Sequence, residues 1–174
     1  LLACAPALAW LGWRWSPIRV LIGAAAVLSL LAVSLYQGDL ARAEEAFLLK
    51  YFLSSQSAIM WMSVLFFVAT GGYWACMLAG STIAGRAASM INWFAIVIGL
   101  TGLLVRWYES YLLGADIGHI PISNLYEVFV LFSLVTALFY LYYEERYATR
   151  QLGGFVMVVV SAAVGFLLWY TFER

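Results

Sequence analysis

The chain has 174 residues, of which 66% are hydrophobic and only 10% charged, against roughly a quarter charged in soluble domains. That composition excludes an ordinary water-soluble fold. Nine basic residues balance nine acidic ones, so there is no cationic surplus to track a nucleic-acid backbone, and no nucleic-acid partner is expected.

The apolar residues come in continuous runs and do not alternate, and a helix needs about 20 such residues to cross a ~30 Å hydrocarbon layer. In lipid only helices or closed barrels satisfy their backbone polar groups, and unbroken runs favour helices. The expected fold is an all-α polytopic membrane helix bundle, one transmembrane domain over residues 1–174, with about six spans. In chain order these are a truncated span at 1–13, then 19–36, 57–77, 89–107, 124–143 and 152–172. Leu1 already lies inside an apolar run and Arg174 follows the last one directly, so the chain is read as a fragment of a longer protein.

Cys4 and Cys76 lie in apolar runs with no C-x-x-C spacing and read as small packing residues. Arg14, Arg19, Arg86, Arg146 and Arg150 fall in alternate connections, which the positive-inside tendency assigns to the cytoplasm. The connections holding Asp39 and Asp116 then face outward. Trp13, Trp61, Trp74, Trp93, Trp107 and Trp169 stand close to helix ends, where amphipathic rings prefer the headgroup layer. In the outer segment 38–56, Asp39 is placed to cap a helix whose Leu40, Phe47, Leu48, Tyr51 and Phe52 share a face away from Arg42, Glu45 and Lys50. The pattern predicts an amphipathic helix on the outer surface, or else an outward extension of the next span. Gly71, Gly72, Gly99, Gly102, Gly153, Gly154 and Gly165 are expected to let helices approach closely.

The second outer connection, 108–123, carries GHIPISNLYE at 118–127 and with it the single histidine, His119. Pro121 disfavours helical geometry at Ile120, while Asn124 can cap the next helix with Glu127 reaching back three residues later. A fixed imidazole in such a loop can act as a base, a pH switch, a metal ligand or a plain polar residue. Hydrolase chemistry lacks a spaced serine nucleophile, zinc lacks a ligand set, and no catalytic residue is assigned. Haem asks less: one or two axial ligands, aromatic and aliphatic walls and a cation near its propionates. Trp107, Tyr108, Tyr111 and Tyr126 crowd the loop, and Arg106 stands at its edge.

The stretch VRWYESYLLGADIGHIPISNLYEVFVLFSL, 105–134, resembles the signature loop of the CcsA/CcsB-type cytochrome c biogenesis proteins, the polytopic subunit of the system II cytochrome c synthase. The likeness continues through YQGDLARAEEAFLLKYFLSSQSA and LGGFVMVVVSAAVGFLLWYTF. It implies a haem-handling protein of the bacterial cytoplasmic membrane, multi-pass, with the His119 loop on the periplasmic side. Haem b would be a transient substrate, ligated at the iron by His119 and a second outer histidine, and attached to the C-x-x-C-H of apocytochrome c. A ResB-type membrane subunit would be the partner. A histidine serves as ligand only when neutral, and its reference pKa of about 6.5 leaves it mostly so at pH 7.

This chain carries no tryptophan-rich W-G-x-x-W-x-W-D segment and no second histidine, so by itself it is not expected to perform the attachment. Arg106 either snorkels and pairs with Glu109 at i+3 or meets a haem propionate. Glu127 either completes the helix cap or has a buried polar role near the haem. Trp107 and Tyr126 are either interface anchors or haem surroundings. The competing functions are a haem-binding anchor of an electron-transfer complex, which would want histidines within spans, and a transporter or non-catalytic membrane scaffold, the former wanting charges at mid-membrane depth.

Overall fold

A computed structural model describes residues 4–114, 116 and 124–173. The described chain is helical. In order it forms α1 (Cys4–Arg14), α2 (Ser16–Tyr36), a short α3 (Arg42–Glu45), a π-helical turn (Leu49–Leu53), α4 (Ser55–Ala79), α5 (Thr82–Leu113), α6 (Leu125–Tyr147) and α7 (Gly153–Phe172). Five of these, α2 and α4 to α7, are long and apolar enough to cross a membrane, the mark of a multi-pass membrane protein. The 11 residues of α1 reach only about 16 Å at 1.5 Å per residue, half a bilayer core, so α1 is not among the helices long enough to cross.

The helix boundaries have local causes. Ser54 accepts a hydrogen bond from the Ser57 amide at the start of α4 and Ser81 from the Ala84 amide at the start of α5, each meeting one of the amide donors that a helix start leaves free. Between them Gly80 turns the chain at φ 63°, a left-handed conformation that glycine adopts without Cβ strain. Trp15 separates α1 from α2 in extended geometry, and Pro17 follows in the first turn of α2, where its missing N–H costs nothing.

The α4–α5 hairpin forms the centre, with α2 packed on α5, α7 on α4, and α6 bridging α5 and α7. The main core joins Met62, Phe66 and Tyr73 of α4, Ala88, Ala95 and Ile96 of α5, Val130, Leu134 and Tyr140 of α6, and Met157, Val160 and Val164 of α7. Buried hydroxyls turn back on their own helices, Ser63 to the Ile59 carbonyl and Thr101 to that of Val97, both at 2.8 Å. Each group is thereby satisfied without water.

Two expectations need correction. The segment 38–56 is not one amphipathic helix. Ala46 turns extended after α3, and the following π turn buries Leu49 and Leu53 against Ala32, Tyr36 and Val105 while Phe47, Leu48, Tyr51 and Phe52 stay exposed. The wider π turn rotates the docking face onto Leu49 and Leu53, away from the aromatic residues. Asp39 still initiates the segment, its carboxylate accepting from the Ala41 amide at 2.9 Å. The expected loop 108–123 also begins too early, because α5 continues to Leu113, held there by Tyr108 and Leu112 packing on the Tyr36 cluster.

Close approach depends on some glycines and not others. A Cβ at Gly72 would lie 2.9 Å from that of Ala88, one at Gly99 2.4 Å from Met62 Sδ, and one at Gly153 2.5 Å from both the Tyr73 ring and the Tyr140 hydroxyl. Gly102 and Gly154 are tight as well, whereas Gly71 has open space and Gly165 meets only Phe67 at 4.0 Å. Gly153→Ala should therefore destabilise the bundle by about 1–3 kcal/mol through overpacking against rigid rings, and Gly71→Ala should leave it within about 0.5 kcal/mol. Thermal unfolding in detergent micelles tests the pair, and equal effects would contradict this packing.

Candidate functional site

One end of the bundle gathers the α2–α4 connection, the start of α6 and the last turn of α7 around Glu109; the opposite end gathers the α1–α2, α4–α5 and α6–α7 connections around Glu144. A cleft of about 710 Å³ opens at the Glu109 end, within the ~300–1,000 Å³ range of small-molecule and cofactor sites. Leu40, Leu125, Tyr126 and Tyr170 give it apolar and aromatic wall, and Lys50, Arg106, Glu44 and Glu109 bring charge to its lining. The α4 cap Ser54 and the first residues of α4, Ser55 to Ser57, line it too.

Glu109 is the knot of this end. Its carboxylate accepts from the Tyr36 hydroxyl at the end of α2, and from both the hydroxyl and the amide of Ser55 at the start of α4, the amide at 3.2 Å. Three helices are joined by one side chain, and the negative charge sits at a helix N-terminus, where the backbone dipoles favour it.

Arg106 does not take Glu109, as i+3 spacing on α5 predicted. Its Nε donates to Glu127 Oε1 at 2.6 Å, and its guanidinium lies 5.2 Å from the centre of the Tyr126 ring. Glu127 is almost fully buried while Arg106 is about one-third exposed, so the pair joins α5 to α6 just inside the cleft. A carboxylate so deprived of water requires a cation at hydrogen-bonding distance. Glu109 is drawn away because Tyr36 and Ser55 supply the donors it needs.

Asn124 caps α6 as expected, accepting from the Glu127 amide at 3.0 Å. The Glu127 carboxylate also pairs with Arg106 across to α5. Tyr126 and Asn124 line the cleft. Trp107 is exposed and is absent from the cleft wall. His119, Gly118 and Pro121 lie outside the described residues, between Asp116 and Asn124. Among the described residues no group of three or more His, Cys, Asp or Glu side chains could hold a metal ion. Cys76 is a free thiol, and a Cβ on Gly85 would lie 2.8 Å from its Sγ; the Cys4 side chain is outside the described set.

The Glu144 end holds a second buried carboxylate that the sequence reading passed over. Glu144 accepts from the Ser89 hydroxyl, from the Tyr73 hydroxyl at 2.8 Å and from Arg150 Nε at 3.0 Å. Arg150, read from sequence only as an orienting charge, also donates to the Ser89 hydroxyl at 3.2 Å and so ties the α6–α7 connection to α5. The run EER at 144–146 was the available signal, but spacing does not reveal which of its carboxylates turns inward.

A double-mutant cycle separates the two possible partners of Arg106. Replacing Arg106 and Glu127 by alanine should show a coupling of about 1 kcal/mol or more, and replacing Arg106 and Glu109 less than about 0.5 kcal/mol. Unfolding in detergent measures both, and the reverse order would restore the i+3 pair. Comparison of the chain with protein-family models, with curated proteins and with solved structures finds no match.

Proposed function

We propose that this chain presents haem b, as a transient substrate, at the Glu109 end of the bundle, as part of a system II cytochrome c synthase in the bacterial cytoplasmic membrane. In this reading the Glu109 end faces the periplasm and His119 supplies an axial ligand to the iron. The reading is carried by one juxtaposition: the GHIPISNLYE stretch that resembles the biogenesis family runs directly into Asn124, and Asn124, Leu125 and Tyr126 line the cleft.

The residues present suit such a substrate. A flat macrocycle wants aromatic and aliphatic walls, which Tyr126, Tyr170, Leu40 and Leu125 give, and its acid groups want a cation, for which Lys50 and Arg106 are the basic residues on the lining. Axial ligation would supply the means of holding the iron while a vinyl edge stays open to an apocytochrome c thiol. The chain's own residues do the positioning. Glu109 fixes α2, α4 and α5 around the cleft, the Arg106 to Glu127 pair fixes α6 against α5, and Asn124 sets where the His119 stretch joins α6. The second ligand and the ResB-type partner are expected from elsewhere in the assembly.

The test is spectroscopic. The full chain purified from membranes should show a visible haem spectrum that His119→Gly abolishes or shifts in spin state, with recovery on adding imidazole. Charge reversal at Arg86 or Arg146, both at the Glu144 end, should leave the spectrum intact. A His119→Gly protein with an unaltered spectrum removes the ligand role.

A further inference from the structure

An acidic ligand in the cleft needs a positive charge that the protein has not already neutralised. Arg106 is the obvious choice from sequence, yet its Nε is committed to the buried Glu127, whose carboxylate already offsets its charge. The other charges on the cleft lining are Glu44, Glu109 and Lys50. Glu109 is satisfied by Tyr36 and Ser55. Among the described residues no carboxylate forms an ion pair with Lys50, and its ammonium has only the Tyr51 ring, 5.7 Å from the ring centre.

The backbone beneath that lysine is held in place. Lys50 sits in the π turn, a geometry that recurs at functional sites. Its carbonyl accepts from the Ser57 hydroxyl at 2.6 Å and its amide donates to the Ala46 carbonyl at 2.9 Å, while Leu49 and Leu53 on either side are buried. A long side chain on an anchored turn delivers a strongly hydrated point charge to the cleft and can follow an oxygen anion without a fixed bidentate geometry.

We propose that Lys50, and not Arg106, receives the carboxylate of the ligand in this cleft. The inference rests on the haem reading above and assigns the propionate contact within it. A phospholipid headgroup offers a similar anion, so the test must separate the two sources.

The full chain, reconstituted in phosphatidylcholine nanodiscs and in matched discs containing phosphatidylglycerol, is titrated with haem b and with its dimethyl ester, which lacks the carboxylate charges. Lys50→Gln should weaken haem b binding about tenfold or more, leave the dimethyl ester unchanged, and behave alike in both lipids; Lys50→Arg should retain most of the affinity. Equal thermal unfolding of wild type and Lys50→Gln shows that the fold is kept. Equal weakening of both ligands, or of neither, overturns the assignment, as does an effect seen only with phosphatidylglycerol, which would make the lipid headgroup the occupant. If wild type binds haem through His119 but Lys50→Gln has no effect, the haem reading stands and the lysine assignment falls. If wild type binds neither ligand, both fall.

Discussion

A carboxylate carried into an apolar bundle must find donors there, because little water is left to satisfy it. The buried Glu127 and Glu144 and the half-buried Glu109 each find theirs across helix boundaries, through Arg106, through Tyr73, Ser89 and Arg150, and through Tyr36 and Ser55. These contacts link α2, α4, α5 and α6 at their ends. Between them Thr70 of α4 bonds Ser161 and the Met157 carbonyl of α7, and Asn92 of α5 reaches Met157 Sδ, but most of the contact is apolar packing, which in lipid has little solvent-driven preference for one partner over another. The polar ties therefore decide which helices stand together and at what height.

The cleft follows from those ties. Glu109 brings the end of α2 and the start of α4 level with the last turns of α5, and the Arg106 to Glu127 pair draws α6 in beside them. What lies between is a space bounded largely by helix ends, so serines at the start of α4, the π-turn Lys50 and three tyrosines, Tyr36, Tyr126 and Tyr170, share its lining. Placing it at the ends gives polar groups and aromatic surface together, the combination that an amphipathic macrocycle with acid substituents requires. It also puts the start of α6, where the histidine-bearing stretch joins the bundle, on the cleft wall.

The long helices could be read in the sequence because an apolar run of sufficient length has one stable outcome in lipid. Ser54, Ser81 and Asn124 cap within three residues of themselves, so their roles are local, and for Asn124 the sequence showed it. The pairing of Arg106 could not be read this way. Spacing on α5 favours Glu109, but Glu109 and Arg106 each found a more buried partner on another helix, 54 and 21 residues distant. The face of segment 38–56 was hidden for a related reason. A period of 3.6 places Phe47 and Tyr51 inward, and a π turn, which local sequence does not announce, gives that position to Leu49 and Leu53.

The sequence by itself determined that the chain is a bundle of long apolar helices, about where along the chain they lie, and which ten-residue stretch carries its only histidine, because hydropathy, caps and motif are properties of neighbours along the chain. Only the tertiary structure decided which charges neutralise one another, which glycines lie at true close approaches, and that Lys50 shares a cleft with Tyr126. Those outcomes depend on side chains from different helices competing for the same buried donors, and such competition has no trace in the spacing of any one segment.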